Sequence, residues 1–109
     1  MLQAIKMALA PATASWAVQR YWAGKYEKAL QTFLRAERWY PGLLEAEPTF
    51  MAYTGLVHFR LGHREESIRL LTTSKTRLDN HPDPKSSSEF IATLNAEIQT
   101  AINHLQPNP

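Results

Sequence analysis

Apolar side chains recur at spacings of three and four residues along most of this chain, a pattern typical of helices that bury one face. The clearest stripe lies near the C-terminus and consists of Phe90, Ile91, Leu94, Ile98, Ala101, Ile102 and Leu105. A second stripe consists of Tyr26, Ala29, Leu30, Phe33, Ala36 and Tyr40. No segment shows the strict alternation of apolar and polar residues that a half-buried strand requires. The pattern therefore predicts an all-α protein.

Glycine and proline residues divide this pattern into separate helices. Gly24 and Gly62 each follow an apolar segment and suit the C-terminal end of a helix. Pro11 suits the first turn of a helix, where its missing amide hydrogen costs nothing, so residues 2–9 are expected to form a short N-terminal helix of their own. The main helices are predicted over residues 12–23, 26–40, 48–61, 63–79 and 86–105, with a turn at 80–84.

The chain also contains an internal repeat. A shift of 38 residues aligns small residues with small ones and large residues with large ones. The aligned pairs are Ala14 with Ala52, Ala17 with Gly55, Val18 with Leu56, Tyr21 with Phe59, Gly24 with Gly62, Ala29 with Ser67, Leu30 with Ile68, Phe33 with Leu71, Ala36 with Ser74 and Tyr40 with Leu78. Two copies of one helical hairpin explain this pattern, because small residues let two helices approach closely and glycine makes the turn.

The first copy carries the motif of a known helical repeat, namely Trp16-Ala17, Gly24, Tyr26, Ala29, Phe33, Ala36 and Pro41. The second copy agrees at Gly55, Gly62, Ile68 and Leu71 but departs at Arg64, Ser67, Ser74 and Asp79. In these residues the chain resembles the tetratricopeptide repeat family. The resemblance implies two antiparallel hairpins in a right-handed superhelical stack, at about residues 11–41 and 48–80, with a capping helix at about 86–105. It implies a single domain over residues 1–109.

Composition narrows the classes of function. The 109 residues, 44% of them hydrophobic, suit one packed domain. The 12 basic and 10 acidic side chains are interspersed, so the formal charge of +2 does not argue for nucleic acid. Without cysteine the chain has no disulfide, thiolate nucleophile or cysteine-ligated zinc. No stretch reaches the ~18 apolar residues of a membrane span. We expect a soluble cytoplasmic protein that does not insert into membranes.

No catalytic or metal-binding motif stands out in the sequence. His58 and His63 flank the break at Gly62 and are expected to face different ways, and neither belongs to an HExxH arrangement. Glu65 and Glu66 are adjacent, so they point apart on a helix. No glycine-rich phosphate loop is present. The sequence therefore predicts no enzyme, no metal site and no cofactor.

The resemblance places the first helix of each hairpin on a concave surface. A partner-binding groove is predicted there from Val18, Tyr21, Trp22, Tyr53, Leu56, Phe59 and Arg60. An apolar, aromatic groove with one arginine suits an amphipathic helix or an apolar extended peptide of another protein. Arg60 would orient a carboxylate or carbonyl group. Trp16, Tyr26 and Phe33 are predicted instead to hold the first hairpin together.

Several interpretations remain open. The groove aromatics can pack against the chain's own N- or C-terminal helix, or against the same face of a second subunit. A secondary interface candidate at the end of the first hairpin consists of Trp39, Tyr40, Leu43 and Leu44, whose leucines either extend a helix or cover the edge of the core. The leading hypothesis is an adaptor or small chaperone that binds another protein. The alternative is a homo-oligomeric scaffold, such as a homodimer, that uses the same face.

Overall fold

Helices account for most of the structure, a computed structural model that describes residues 2–80 and 88–105. Their bounds are α1 Leu2–Trp22, α2 Tyr26–Trp39, α3 Leu43–Ala46, α4 Pro48–Arg60, α5 Arg64–Asn80 and α6 Ser88–Leu105. Neither described stretch contains a strand, so the predicted all-α fold is confirmed. The predicted turn at 80–84 lies mostly outside the described residues, as do His81 and the side chains of Phe90 and Ile91.

Helix α1 runs without interruption through Pro11, so the prediction of a separate short helix over residues 2–9 is wrong. A proline inside a helix removes one backbone hydrogen bond and costs about 3 kcal/mol. Ala10 and Ala14 lie on either side of Pro11 and are fully buried. Because core contacts on either side of Pro11 hold the helix across it, tertiary packing overrides the local break.

The turns after α1 and α4 share one hydrogen-bond pattern. Gly24 has φ +78° and Gly62 has φ +82°, a left-handed conformation that glycine adopts without steric strain. In each turn the residue after the glycine donates to the carbonyl four residues before the glycine, Lys25 to Arg20 at 2.9 Å and His63 to His58 at 2.9 Å. This is the Schellman arrangement. Its occurrence at the same point of both copies agrees with the internal repeat.

Consecutive helices pack in pairs, α1 mainly on α2 and α4 mainly on α5. The Gln3 side chain, at the beginning of α1, donates to the Trp39 carbonyl at the end of α2, at 3.4 Å. These two helices therefore run in opposite directions. Gly55 lets α4 approach α5, because a Cβ atom there would lie 2.9 Å from Cγ of Leu71 and 3.1 Å from Cβ of Leu70.

Helix α4 is the centre of the fold. Its residues from Met51 to Val57 are all buried, because α1, α2, α3, α5 and α6 all contact this helix. The largest fully buried apolar side chains are Phe33, Tyr53, Leu56, Val57, Leu71, Leu94 and Ile98. Every helix contributes to the core, α1 mainly through alanines and α3 through Leu43.

The connection between the two pairs folds back onto the core as the single turn of α3. The Glu37 carboxylate accepts hydrogen bonds from the amide of Gly42 at 2.5 Å and from the amide of Leu44 at 3.1 Å. Leu43 is buried beneath this turn. The leucines of the connection therefore both form a short helix and cover the edge of the core.

Candidate functional site

The seven side chains predicted to line a groove lie in three different environments. Those buried within the chain are Tyr21, Tyr53 and Leu56. Those half-buried are Val18 and Phe59. Those exposed are Trp22 and Arg60. As the chain is folded, an incoming molecule meets Trp22, Arg60 and the edges of Val18 and Phe59.

The buried aromatics form a cluster that joins α1 to α4. The Tyr21 ring centroid lies 5.2 Å from that of Trp22, 5.6 Å from that of Tyr26 and 5.7 Å from that of Tyr53, in edge-on or tilted geometry. Such contacts contribute about 0.5–1.5 kcal/mol each beyond the area they bury. Tyr21 therefore serves the packing of the chain itself in this conformation.

Helix α6 lies over this cluster and places a carboxylate at its edge. Glu97 accepts a hydrogen bond from the Tyr21 hydroxyl at 3.5 Å and lies 3.7 Å from the Arg60 guanidinium. The His104 ring contacts the Phe59 ring, with centroids 5.8 Å apart. The aromatic face therefore packs against the chain's own C-terminal helix, which is one of the arrangements left open by the sequence.

The electrostatics of this face suit a carboxylate. Burial raises the pKa of the Tyr21 phenol more than Arg60 lowers it, and Glu97 adds to the rise. Tyr21 therefore remains a neutral hydroxyl that can donate. A hydrogen bond between the Tyr21 and Arg60 side chains raises the pKa of Arg60, which keeps the guanidinium charged. Burial raises the pKa of Tyr53 as well. A neutral donor and a cation thus lie side by side at the point that Glu97 occupies.

The secondary interface candidate lies at the end of α2 and in α3. Leu43 is buried, Trp39 and Leu44 are half-buried, and Tyr40 is the most exposed of the four. Leu44 also lines a cleft of about 340 Å³ between α2 and α5. Polar groups share this cleft, among them Glu37, Glu45, His58, Glu66 and Arg69. The patch therefore offers one exposed aromatic ring beside a mixed polar cleft.

His58 and His63 meet at the second turn, so the prediction that they face different ways is wrong. Their Nδ1 atoms are 2.9 Å apart, in a hydrogen bond whose donor depends on the tautomer. The Schellman turn brings these two positions together. Burial lowers the pKa of His58, and the neighbouring His63 lowers it further. Across residues 2–80 and 88–105, no three histidine, aspartate or glutamate side chains are placed to hold a metal ion.

An exposed apolar stripe runs along α1, and the sequence reasoning did not identify it as a site. This outer stripe consists of Leu2, Ile5, Leu9, Ala12 and Trp16. Leu2 is 67% exposed, Ile5 55%, Leu9 50% and Trp16 65%. The prediction that Trp16 holds the first hairpin together is therefore wrong. The spacing of three and four residues continues across Pro11 and is the signal that identifies the stripe once α1 is known to be one helix.

No family model matches the chain, and no curated protein or solved structure is significantly similar to it. The tetratricopeptide resemblance therefore stays a prediction. None of the helices in the described part of the chain is both long enough and apolar enough to cross a membrane.

Proposed function

We propose that this chain is a protein–protein interaction module of tetratricopeptide-like build, an adaptor or small chaperone that holds an apolar or amphipathic segment of another protein on the concave face of α1 and α4. The residues of this face are Val18, Tyr21, Trp22, Tyr53, Leu56, Phe59 and Arg60. The observation that best supports the proposal is the position of α6, an amphipathic helix that lies on this face and brings a carboxylate to Tyr21 and Arg60.

Helix α6 has the chemistry expected of such a partner segment. Its buried apolar side chains are separated by four, three and four residues and are Leu94, Ile98, Ala101 and Leu105. Helices that bind in grooves are recognised by apolar anchors at this spacing. Glu97 adds a polar contact that fixes the position of the helix along the groove. A partner segment with the same anchors and a carboxylate at the corresponding position can occupy the same place.

The partner segment replaces α6, because Glu97 and His104 of α6 already contact Tyr21, Arg60 and Phe59 of this face. One amphipathic helix then takes the place of another, so the change in buried apolar area is small. The match of side chains, rather than the area, decides which helix is bound. Trp22 is 51% exposed at the edge of the cluster and provides a first contact.

A labelled synthetic peptide of residues 88–105 tests this exchange in the full-length chain. Glu97→Lys in the chain places a lysine against Arg60 and weakens the hold of its own α6. We expect this variant to bind the peptide roughly threefold to tenfold more tightly than the unchanged chain, about 0.7–1.4 kcal/mol. Gln99→Lys also introduces a lysine, at an exposed position of α6, and serves as the control. Fluorescence anisotropy that gives equal binding for both variants would contradict the proposal.

A second copy of the chain is the alternative source of a helix, because exchange of α6 between copies would produce a dimer. Light scattering over a wide range of concentration separates the two possibilities. A monomer at all concentrations supports the adaptor, and a dimer that dissociates on dilution supports the scaffold. Co-purification from the source cell followed by mass spectrometry then identifies the partner.

A further inference from the structure

The outer stripe of α1 has the geometry of a seam between two helices. Its members are separated by three, four, three and four residues, the pattern with which two helices pack side by side. The stripe is narrow, because another face of α1 is fully buried at Ala10, Ala14 and Ala17. A narrow stripe of this spacing fits a second helix, whereas a lipid surface is bound by a broad apolar face.

The second copy of the repeat shows what covers the equivalent face. Under the shift of 38 residues, Trp16 corresponds to Thr54 of α4. Thr54 lines the cleft that Leu34 and Glu37 of α2 also line, and only 4% of its surface is exposed, against 65% for Trp16. In α4 this face is therefore buried and borders α2 of the first helix pair. In α1 the same face is open to solvent.

The charged side chains of α1 and of the turn after it are all positive. Lys6 and Arg20 lie in α1, which contains no aspartate or glutamate, and Lys25 follows in the turn. The Arg20 guanidinium lies 5.8 Å from the centre of the Trp16 ring, and its Nε atom is buried without a hydrogen-bond partner. These two side chains and Lys25 line an open cleft of about 170 Å³. Ion pairs within the described part of the chain involve none of the three cations.

We propose that the outer stripe of α1 docks an amphipathic helix of another protein whose apolar seam is flanked by glutamate or aspartate. The apolar side chains of that helix pack between Ile5, Leu9 and Trp16, and its carboxylates pair with Lys6 and Arg20. This surface lies apart from the face that α6 covers, and binding here requires no exchange of α6. The chain therefore has two protein-binding surfaces.

A second copy of the chain is a poorer occupant of the stripe. Antiparallel pairing of two α1 helices would put the cations Lys6 and Arg20 on both sides of the seam and supply no carboxylate to either. Parallel pairing would leave the same cations without acidic partners, because α1 has no carboxylate. Charge complementarity therefore selects an acidic helix of another protein.

Two designed peptides of the length of α1, 21 residues, test the proposal. Both carry leucine at the seam positions and no tryptophan, and the residues beside the seam are glutamate in one and lysine in the other. We expect the full-length chain to bind the glutamate peptide at least about tenfold more tightly than the lysine peptide, and more weakly as salt is added. Fluorescence anisotropy measures both affinities.

Variants of the full-length chain locate the binding. Leu9→Ser with Trp16→Ser should weaken binding of the glutamate peptide at least about tenfold. Lys6→Glu with Arg20→Glu should reverse the preference between the peptides. Leu34→Ser is the matched control, because Leu34 is 49% exposed on α2 and outside the stripe. Arg60→Glu alters the concave face and tests whether the peptide binds there instead. Leu34→Ser should bind as the unchanged chain does, and circular dichroism checks the helix content of every variant.

Four results would overturn the proposal. The first is equal binding of the two peptides, and the second is binding that Arg60→Glu removes and the stripe variants leave intact. The third is a dimer in light scattering that Leu9→Ser dissociates, which would assign the stripe to a second copy. The fourth is sedimentation of the chain with vesicles of phosphatidylserine and phosphatidylcholine that the stripe variants abolish, which would assign it to a lipid surface.

Discussion

Helices α1 and α4 are the first helices of the two helix pairs, yet their surroundings differ. Five helices contact α4, which is buried from Met51 to Val57. Helix α1 packs on α2 and α4 and leaves its outer stripe exposed. The two helices share small residues and a glycine turn, so the difference lies in the number of their neighbours. Stacked helical units bury their apolar faces only against one another. An edge helix that keeps an apolar stripe is therefore suited to recruit a neighbour.

The largest expected effect is a difference in the free energy of unfolding between a substitution inside α4 and one on the outer stripe of α1. Leu56→Ala removes a fully buried side chain from α4 and should lower the free energy of unfolding by about 2–5 kcal/mol. Leu9→Ala removes the same atoms from the outer stripe and should change the free energy of unfolding by about 0.5 kcal/mol or less. Urea unfolding measures both. A large loss for Leu9→Ala would show that the stripe already packs against something in the free chain.

The second comparison concerns how closely the paired helices approach. Gly55→Ala inserts a methyl group against the buried Leu71 side chain, and overpacking should destabilise the chain by about 1–3 kcal/mol despite the better helix propensity of alanine. The equivalent residue of α1 is Ala17, which already has a Cβ atom and is fully buried. Ala17→Gly should cost about 1 kcal/mol through backbone entropy. If Gly55→Ala raises the stability instead, the contact between α4 and α5 is looser than described.

Alanine substitution should destabilise the chain by the same amount at the two glycine turns, whereas substitutions in the two helices should differ in their effect. Gly24 and Gly62 have nearly equal positive φ values, and nothing lies near a Cβ atom at either position. Substitution of either by alanine should therefore cost about 1–2 kcal/mol from backbone strain alone. Thermal or urea unfolding of both single variants tests this. Costs that differ by more than about 1 kcal/mol would contradict the equivalence of the two copies at the turn.

The smallest expected effect is a pH dependence confined to the second turn. Burial and His63 lower the pKa of His58 in the folded chain, so the unfolded chain binds this proton more readily. The stability that His58 contributes is therefore complete above about pH 6.5 and is lost as the pH falls below that value. Arg20 and Lys25 occupy the equivalent positions of the first turn, which therefore has no histidine. His58→Gln should flatten the slope between about pH 7.5 and 5.5 in urea unfolding. An unchanged slope would exclude His58 as its source.

The helical elements could be predicted from the sequence because their signals are local. Gly24 and Gly62 end helices through a backbone conformation that glycine alone adopts easily, and both turns are present as predicted. Gly55 was predicted to permit close approach, and the contact with Leu71 confirms it. The continuity of α1 through Pro11 could not be predicted, because it depends on tertiary contacts at Ala10 and Ala14, on either side of the proline.

The environment of the candidate site could not be predicted in the same way. Periodicity shows that Tyr21, Tyr53 and Leu56 belong to apolar faces, but it does not show whether a partner or the chain's own α6 covers them. The contact between His58 and His63 follows from a turn geometry that brings together residues five positions apart. Trp16 matches the large residue of the repeat motif, yet 65% of its surface is exposed.

The exposure of Trp16 tests the contrast between the two helices most directly. The chain has three tryptophans, so Trp22→Phe with Trp39→Phe leaves Trp16 as the only one. Acrylamide should quench its fluorescence efficiently in the free chain and weakly once the glutamate peptide is bound, while the lysine peptide leaves the quenching unchanged. A Trp16 that is shielded in the free chain, or equally quenched in the complex, would contradict an open α1 face that docks an acidic helix.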